Sequence, residues 1–353
     1  MALTSVASGP DRYAALALQV LCDAVNQDKS ARAAYQRMKR AIERVGANIL
    51  AAKGFLKGFN GYDLKLVVLP EYWMTGFPLG ETREEWRAKA VIDQTGDFAT
   101  AIAGMAKKAD VYLCSNHYES DPAFPDLYFQ ANVIYAPSGQ TVLRYRRMIS
   151  LYSPSPYDVW DRFLEVYGEE AIFPVANTEI GVLGTIASEE ILYPEIARMV
   201  ALKGAEVLLH PTSEVGAPGL TPKDVSKRAR ALENIAYVVS ANSGGLAGTL
   251  VPAQSTDLMS KIVDYKGHVL AEAGAGETMN ANAVLDIGAL REARGKTGMS
   301  NFLSRLPLAA FRKGYEAERA PPNRTPDGGM IDRTEAIRQQ QNVIERVMRA
   351  RSE

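Results

Sequence analysis

Short apolar runs rich in β-branched residues recur along this chain with helical patterns between them, and that alternation restricts it to a layered α/β architecture. Residues 13–19 read as a strand, 30–56 as a long helix, and 64–70, Leu-Lys-Leu-Val-Val-Leu-Pro, as a buried strand. A second round gives a helix at 97–107, a strand at 111–116, and paired strands at 127–136 and 141–147 joined by Pro-Ser-Gly-Gln. Residues 180–187 form the next buried strand, 194–203 a helix and 206–210 a further strand. Thr221-Pro-Lys-Asp224 opens a helix that runs to about Ile235, with Thr221 as cap, Pro222 in the first turn and Asp224 near the positive dipole end. A strand at 237–242 follows, and strands at 260–264, 269–273 and 283–287 close the core.

Residues 1–295 therefore read as one domain and 296–353 as a C-terminal arm. A basic stretch at 291–319 leads into the arm, which holds a Pro- and Gly-rich linker at 320–329 and a last helix from Asp332. Glu335 completes a capping box there, and Ile337, Val343, Ile344 and Val347 form an apolar stripe suited to a partner subunit. The alternative is an exposed basic helix with no partner.

Charge narrows the partners. The chain has 353 residues, 47% of them hydrophobic, with 40 Lys and Arg against 41 Asp and Glu. So even a balance gives no field for nucleic acid or an anionic membrane, and small, locally recognised substrates are expected. Two cysteines, Cys22 and Cys114, are too few for a disulfide framework, which fits a reducing cytoplasm. No segment approaches the roughly 18 apolar residues that a membrane span needs.

Four segments carry the chemistry. Leu69-Pro-Glu71 leads into Tyr72-Trp73-Met-Thr-Gly-Phe-Pro78 where a strand ends, a usual place for functional groups held on a rigid scaffold. Tyr145-Arg-Arg147-Met-Ile closes a strand pair. Ile186-Ala-Ser188-Glu189-Glu190-Ile-Leu-Tyr-Pro-Glu195 ends another strand and precedes Gly204-Ala-Glu-Val-Leu-Leu-His210-Pro. Arg230-Ala-Leu-Glu-Asn234 runs into Tyr237-Val-Val-Ser-Ala-Asn242. With these segments in this order over residues 13–287, the chain resembles the nitrilase, or carbon–nitrogen hydrolase, superfamily.

The resemblance implies an α-β-β-α sandwich, a homodimer or larger homo-oligomer, and cofactor-free hydrolysis of a nonpeptide carbon–nitrogen bond. It assigns the general base to Glu71. It also places Arg147 where the family has a lysine, and Ser188 where the family has its attacking cysteine. A second carboxylate commonly orients that lysine and the leaving group. Spacing before the nucleophile points to Glu165, with Asp158 and Asp161 as rivals in the same loop.

The residue types suit acyl chemistry on their own terms. A carboxylate in a partly dry pocket can take the nucleophile's proton, and fixed positive charge can stabilise the oxyanion; Glu71 suits the first task, and Arg147 with the Glu189 amide the second. A cysteine thiol ionises near pH 8.5, whereas a serine hydroxyl must lose its proton as it attacks. Arginine cannot shuttle that proton, because it stays charged.

Three readings of Ser188 follow: a working nucleophile in a Glu71–Arg147–Ser188 site helped by His210, a silent site that binds a small ligand or a partner subunit, or an engineered cysteine replacement. A second departure at Arg147 counts against the third. Glu189, His210, Tyr72 and Trp73 are candidate substrate-binding residues. His210 also reads as a satisfied wall histidine, Glu190 as a structural acid, and the aromatics as core. A metal site from Glu71, Glu189, Glu190 and His210 lacks any compact ligand motif, so neither metal nor cofactor is expected. A small amide is the expected substrate, and a nitrile is disfavoured because its addition chemistry depends on a stronger nucleophile.

Overall fold

In Leu64–Val68 successive side chains enter different cores: Leu66 and Val68 face one and Val67 the other, so this strand must be covered on both faces. The computed structural model describes residues 9–150, 153–214, 220–256, 259–316, 322–323 and 333–349. Its elements in chain order are β1 (Arg12–Ala17), β2 (Cys22–Asp23), α1 (Ala31–Asn60), β3 (Leu64–Val68), α2 (Arg83–Ala90), β4 (Val91–Asp93), α3 (Asp97–Ala109), β5 (Tyr112–Asp121) and β6 (Phe124–Tyr135). There follow β7 (Thr141–Arg146), α4 (Trp160–Tyr167), β8 (Ala176–Thr178), β9 (Gly181–Thr185), α5 (Pro194–Leu202), β10 (Val207–Pro211), α6 (Pro222–Asn234) and β11 (Tyr237–Ala241). The chain continues with β12 (Leu246–Ala247), β13 (Lys261–Val263), β14 (Val269–Glu272), β15 (Asn282–Asp286), α7 (Ile287–Gly295), α8 (Leu308–Tyr315) and α9 (Arg333–Arg349).

Two sheets form the centre. One runs β15-β1-β3-β5-β6-β7, with β4 also paired to β5; the other runs β14-β13-β11-β10-β9-β8. Their inner faces share a core in which Ala15, Leu66, Val68, Cys114 and Ile134 meet Leu183, Leu209 and Val239. Helices α1 and α3 cover the outside of the first sheet, where Met38, Val45, Ile49 and Ile102 pack with Leu16, Val67 and Leu113. Helices α5 and α6 cover the second, with Val200 and Ala231 on Leu208 and Val238. This is an α-β-β-α sandwich.

Two local features fix the frame around the strand ends. Thr221 caps α6 by accepting from the Asp224 N–H, with Pro222 at the first turn, so the helix starts where the sequence indicates. At Gly184 in β9 a Cβ would sit 2.2 Å from Val200 Cγ1 and 2.9 Å from Ala205 Cβ, so β9 lies against α5 at a distance only glycine permits.

Other parts depart from the sequence reading. Helix α4 lies within residues 153–170, to which the sequence reading assigns no element, and β5 and β6 form a hairpin around 120–125. The basic stretch after residue 291 holds the rest of α7 and all of α8. Most of the 320–329 linker, Asp332, and the side chains of Glu335 and Val347 lie outside the described residues, while Ile337 and Ile344 of α9 are exposed. No helix among the described residues is long and apolar enough to cross a membrane.

Candidate active site

Glu71, Arg147, Ser188 and Ser213 stand just beyond the ends of β3, β7, β9 and β10. Hydrogen bonds from two backbone amides join the sheets there: the Glu71 N–H donates to the Thr212 carbonyl at 3.2 Å, and the Ser213 N–H donates to the Glu71 side chain at Oε2, 3.1 Å away. Two non-glycine residues take left-handed backbone in this cluster, Tyr72 at φ 55° and Ser188 at φ 48°. Each costs about 1–2 kcal/mol, so surrounding contacts must hold both turns in place.

Glu71 is buried in an amide and guanidinium cage. Its Oε1 accepts from Gln130 Nε2 at 2.9 Å and from Arg147 Nη1 at 3.1 Å. Arg147 Nη1 also donates to Gln130 Oε1 at 2.7 Å, Nη2 pairs with Glu189 at 2.6 Å, and Nε donates to the Ile149 carbonyl at 2.7 Å. Burial opposes the Arg147 charge, but Tyr72, Glu71, Glu189 and Glu190 together hold it above the usual arginine value. From Gln130 a buried thread of side chains runs through Asn116 and Asn132 to Thr185, at 3.1, 2.8 and 2.7 Å. It ties the Glu71 cage to β9, the strand that leads to Ser188.

Ser188 is buried at the head of a short 3-10 turn, 188–192, that precedes α5. Glu190 clamps this turn to the end of β7: Oε1 accepts from the Tyr145 hydroxyl at 2.8 Å and from the Met148 and Ile149 amides at 2.7 and 2.9 Å, and Oε2 from the Ala187 amide at 3.0 Å. Burial pushes the Glu190 carboxyl up, against the pull of Arg147 and these donors. His210 holds the same turn from below. Its Nε2 lies 2.8 Å from the Ser188 carbonyl and its Nδ1 2.8 Å from Ser240 Oγ. A carbonyl only accepts, so Nε2 carries the hydrogen and Nδ1 accepts from Ser240. Burial, with the charges of Lys227 and Lys223, keeps the imidazole well below the usual histidine range.

The Ser188 hydroxyl faces a different group. Lys223 Nζ, from the first turn of α6, donates to Ser188 Oγ at 3.0 Å and to Thr212 Oγ1 at 3.2 Å.

The structure thus gathers Glu71, Arg147, Ser188, Glu189 and His210, with Tyr72 beside Glu71; burial, followed by the Glu71 charge, pushes the Tyr72 phenol up. Glu165 is not brought to this cluster. It lies on the exposed face of α4, 68% accessible and paired with Arg162 at 2.6 Å. Of its rivals, Asp158 caps a turn by accepting from Ser155 N at 2.8 Å, and Asp161 is exposed. The acid that meets Arg147 besides Glu71 is Glu189. Trp73 is wholly buried and donates to Ser115 Oγ at 3.0 Å, so it is core rather than a substrate contact. Both thiols are buried, and burial pushes Cys114 up to about 12 and Cys22 higher still. Among the described residues no group of three His, Cys, Asp or Glu side chains gathers as a metal site.

Gln130, Lys223 and Thr212 were not identified from the sequence. Gln130 had a usable signal: with Asn132, it is one of two polar amide side chains inside the otherwise apolar run 127–136.

Residues 28–294 match the family model described as carbon–nitrogen hydrolase. The chain is 30% identical over 214 residues to a nitrilase of Pyrococcus abyssi, covering 60% of this chain and 74% of that protein. It is 27% identical to a deaminated glutathione amidase of Synechocystis, over 60% of this chain and 75% of the relative. A formamidase of Bacillus cereus is 29% identical, with 54% of this chain matched to 53% of that protein. A carbon–nitrogen hydrolase from Helicobacter pylori G27 superposes with a TM-score of 0.64 at 21% identity, over 87% of this chain and 99% of that one. That structural likeness concerns the fold alone.

Proposed function

This chain belongs to the carbon–nitrogen hydrolase family, and on that premise we propose that it hydrolyses a carbon–nitrogen bond in a small nonpeptide amide, with Ser188 as nucleophile and Glu71 as general base. The observation that carries this reading is the strained backbone at Ser188, φ 48°, held at a strand end by Glu190 and His210 beside the caged Glu71. A strained strand-to-helix turn that lifts a hydroxyl into a site is a recurring device of acyl transfer.

In this mechanism the Ser188 proton passes to Glu71 as Oγ bonds to the amide carbon and the carbonyl pair moves onto oxygen. Collapse restores the carbonyl and breaks the C–N bond, and Glu71 returns its proton to the leaving nitrogen. Water then attacks the ester, gives a proton to Glu71, and Ser188 Oγ departs with it. Arg147 donates to Glu71 and pairs with Glu189, and it serves by positioning both carboxylates. His210 serves through the Ser188 carbonyl, as a positioning residue.

The family's homo-oligomeric habit is proposed for this chain too. Exposed Leu192, Tyr193, Met199 and Leu202, with Val225 and Leu232 of α6, support a face for a second copy.

The test is ammonia release from formamide, acetamide, propionamide and butyramide. Turnover by the native chain that disappears in Ser188→Ala and Glu71→Gln supports the reading. No turnover by the native chain, with activity gained in Ser188→Cys plus Arg147→Lys, identifies a silent binding site instead.

A further inference from the structure

Resting on the reading of Ser188 as nucleophile, we propose that Lys223 is a catalytic residue, whose ammonium donates to Ser188 Oγ and supplies the positive charge that a hydroxyl needs to attack. Nothing in the sequence motifs assigns Lys223 a role beyond the first turn of α6, yet its Nζ is 3.0 Å from the reacting oxygen.

The other polar groups of the site are committed elsewhere. Arg147 is spread over Glu71, Gln130, Glu189 and the Ile149 carbonyl. His210 meets the backbone oxygen of Ser188, not the hydroxyl. Lysines deeper in the same region are neutralised by carboxylates, Lys227 by Glu214 at 3.2 Å and Lys261 by Asp224 and Glu272. Lys223 differs from both. Among the described residues its recorded partners are two hydroxyls, Ser188 Oγ and Thr212 Oγ1.

Its position relative to Ser188 is fixed by the fold. Arg230, two turns further along α6, donates from Nε to the Ile191 carbonyl at 2.9 Å and from Nη2 to the Leu192 carbonyl at 3.1 Å. Those carbonyls belong to the turn that Ser188 begins, so α6 and the nucleophile turn are locked together. Thr212, which accepts the second Lys223 hydrogen bond, sits at the end of β10 and bonds Glu71 through its carbonyl. Lys223 therefore bridges the nucleophile and the strand end that supports the base.

Chemically, Lys223 keeps its protons throughout. Because Oγ accepts from Lys223, its own hydrogen is left for Glu71, and as that proton leaves, the ammonium hydrogen bond strengthens on the developing alkoxide. A cation delivered from α6 thus compensates for the poorer acidity of a hydroxyl.

The test reads the charge at this one atom. In Ser188→Cys, the rate of iodoacetamide alkylation against pH gives the ionisation midpoint of the introduced thiol. Adding Lys223→Met is expected to raise that midpoint by at least about one pH unit, and Lys223→Arg to restore at least half the shift. In the native chain a fluorophosphonate is expected to label Ser188, seen by intact mass, and Lys223→Met to slow labelling at least about 30-fold with the unfolding midpoint unchanged. Labelling of Ser188 at an equal rate in Lys223→Met, with an unmoved thiol midpoint, overturns the Lys223 role and leaves the serine reading standing. No labelling of native Ser188, with the thiol midpoint still moved, overturns the serine reading and the catalytic role of Lys223 with it.

Discussion

Nη1 of Arg147 donates to Oε1 of Glu71 over 3.1 Å, so the charge partner of the proposed base is a planar fork anchored at several points. The same guanidinium reaches Gln130, Glu189 and the Ile149 carbonyl. A lysine ammonium is a point charge and cannot span that set. Arg147→Lys in the native chain is therefore expected to lower kcat/KM on the best amide at least about tenfold, or about 1.4 kcal/mol. Steady-state kinetics check this, and an unchanged kcat/KM contradicts the positioning role.

Glu165→Gln is expected to be silent. Its carboxylate is exposed and paired with Arg162 three residues away, and surface pairs of this kind contribute about 0–1 kcal/mol. Both kcat/KM and the urea midpoint should match the native chain, and a loss of about tenfold or more in kcat/KM would show that α4 reaches the substrate.

His210 gives the protein an acid-side liability. Its imidazole is held well below its usual value, chiefly by burial, whereas in the unfolded chain it titrates near pH 6.5. Below that pH the unfolded state binds a proton that the folded state refuses, so this contribution to stability is complete above about pH 6.5 and is lost as pH falls toward the folded value. The slope is about 1.4 kcal/mol per pH unit for this one proton. Urea unfolding of native and His210→Asn chains from pH 7.5 to 5 measures it. The variant should start less stable and lose less on acidification; equal slopes contradict the assignment.

Glu190→Ala should cost more than a typical substitution. It strands the Tyr145 hydroxyl and the Met148, Ile149 and Ala187 amides in a buried site, where a donor left unpaired costs about 1–3 kcal/mol. A loss of at least about 3 kcal/mol in urea unfolding is expected, with activity lost at temperatures where the chain remains folded, because the Ser188 turn relaxes. A loss below about 1 kcal/mol would show that the clamp is not what holds the turn.

Leu202→Glu tests the proposed face between copies. Light scattering should show a smaller assembly than the native chain, and an unchanged mass places the contact elsewhere.

Strands were the most legible part of the sequence, because runs such as 64–70 and 237–242 are covered on both faces and are therefore mostly apolar. The cap at Thr221 was legible too, since its chemistry is local. Long-range direction was not. Counting back from Ser188 points to Glu165, but spacing along a chain does not say which face of a helix a residue takes; Arg162 three residues earlier is the sequence sign of a surface pair. Helix α4 itself has Trp160, Phe163, Leu164 and Tyr167 at helical intervals, a pattern obscured by the prolines before it. The sequence shows Lys223 only as part of a helix start, because its approach to Ser188 is created by packing α6 against the turn after β9, through Arg230. Glu71, Arg147 and Ser188 were found as motifs at strand ends, where a sandwich collects what its loops carry.

The most direct measurement is acid quenching during turnover of the best amide, followed by digestion and mass mapping of the acyl group. The acyl mass is expected on the peptide that contains Ser188 in the native chain, with both adduct and turnover absent in Ser188→Ala. Turnover that persists in Ser188→Ala, or an acyl group mapped to another residue, contradicts it.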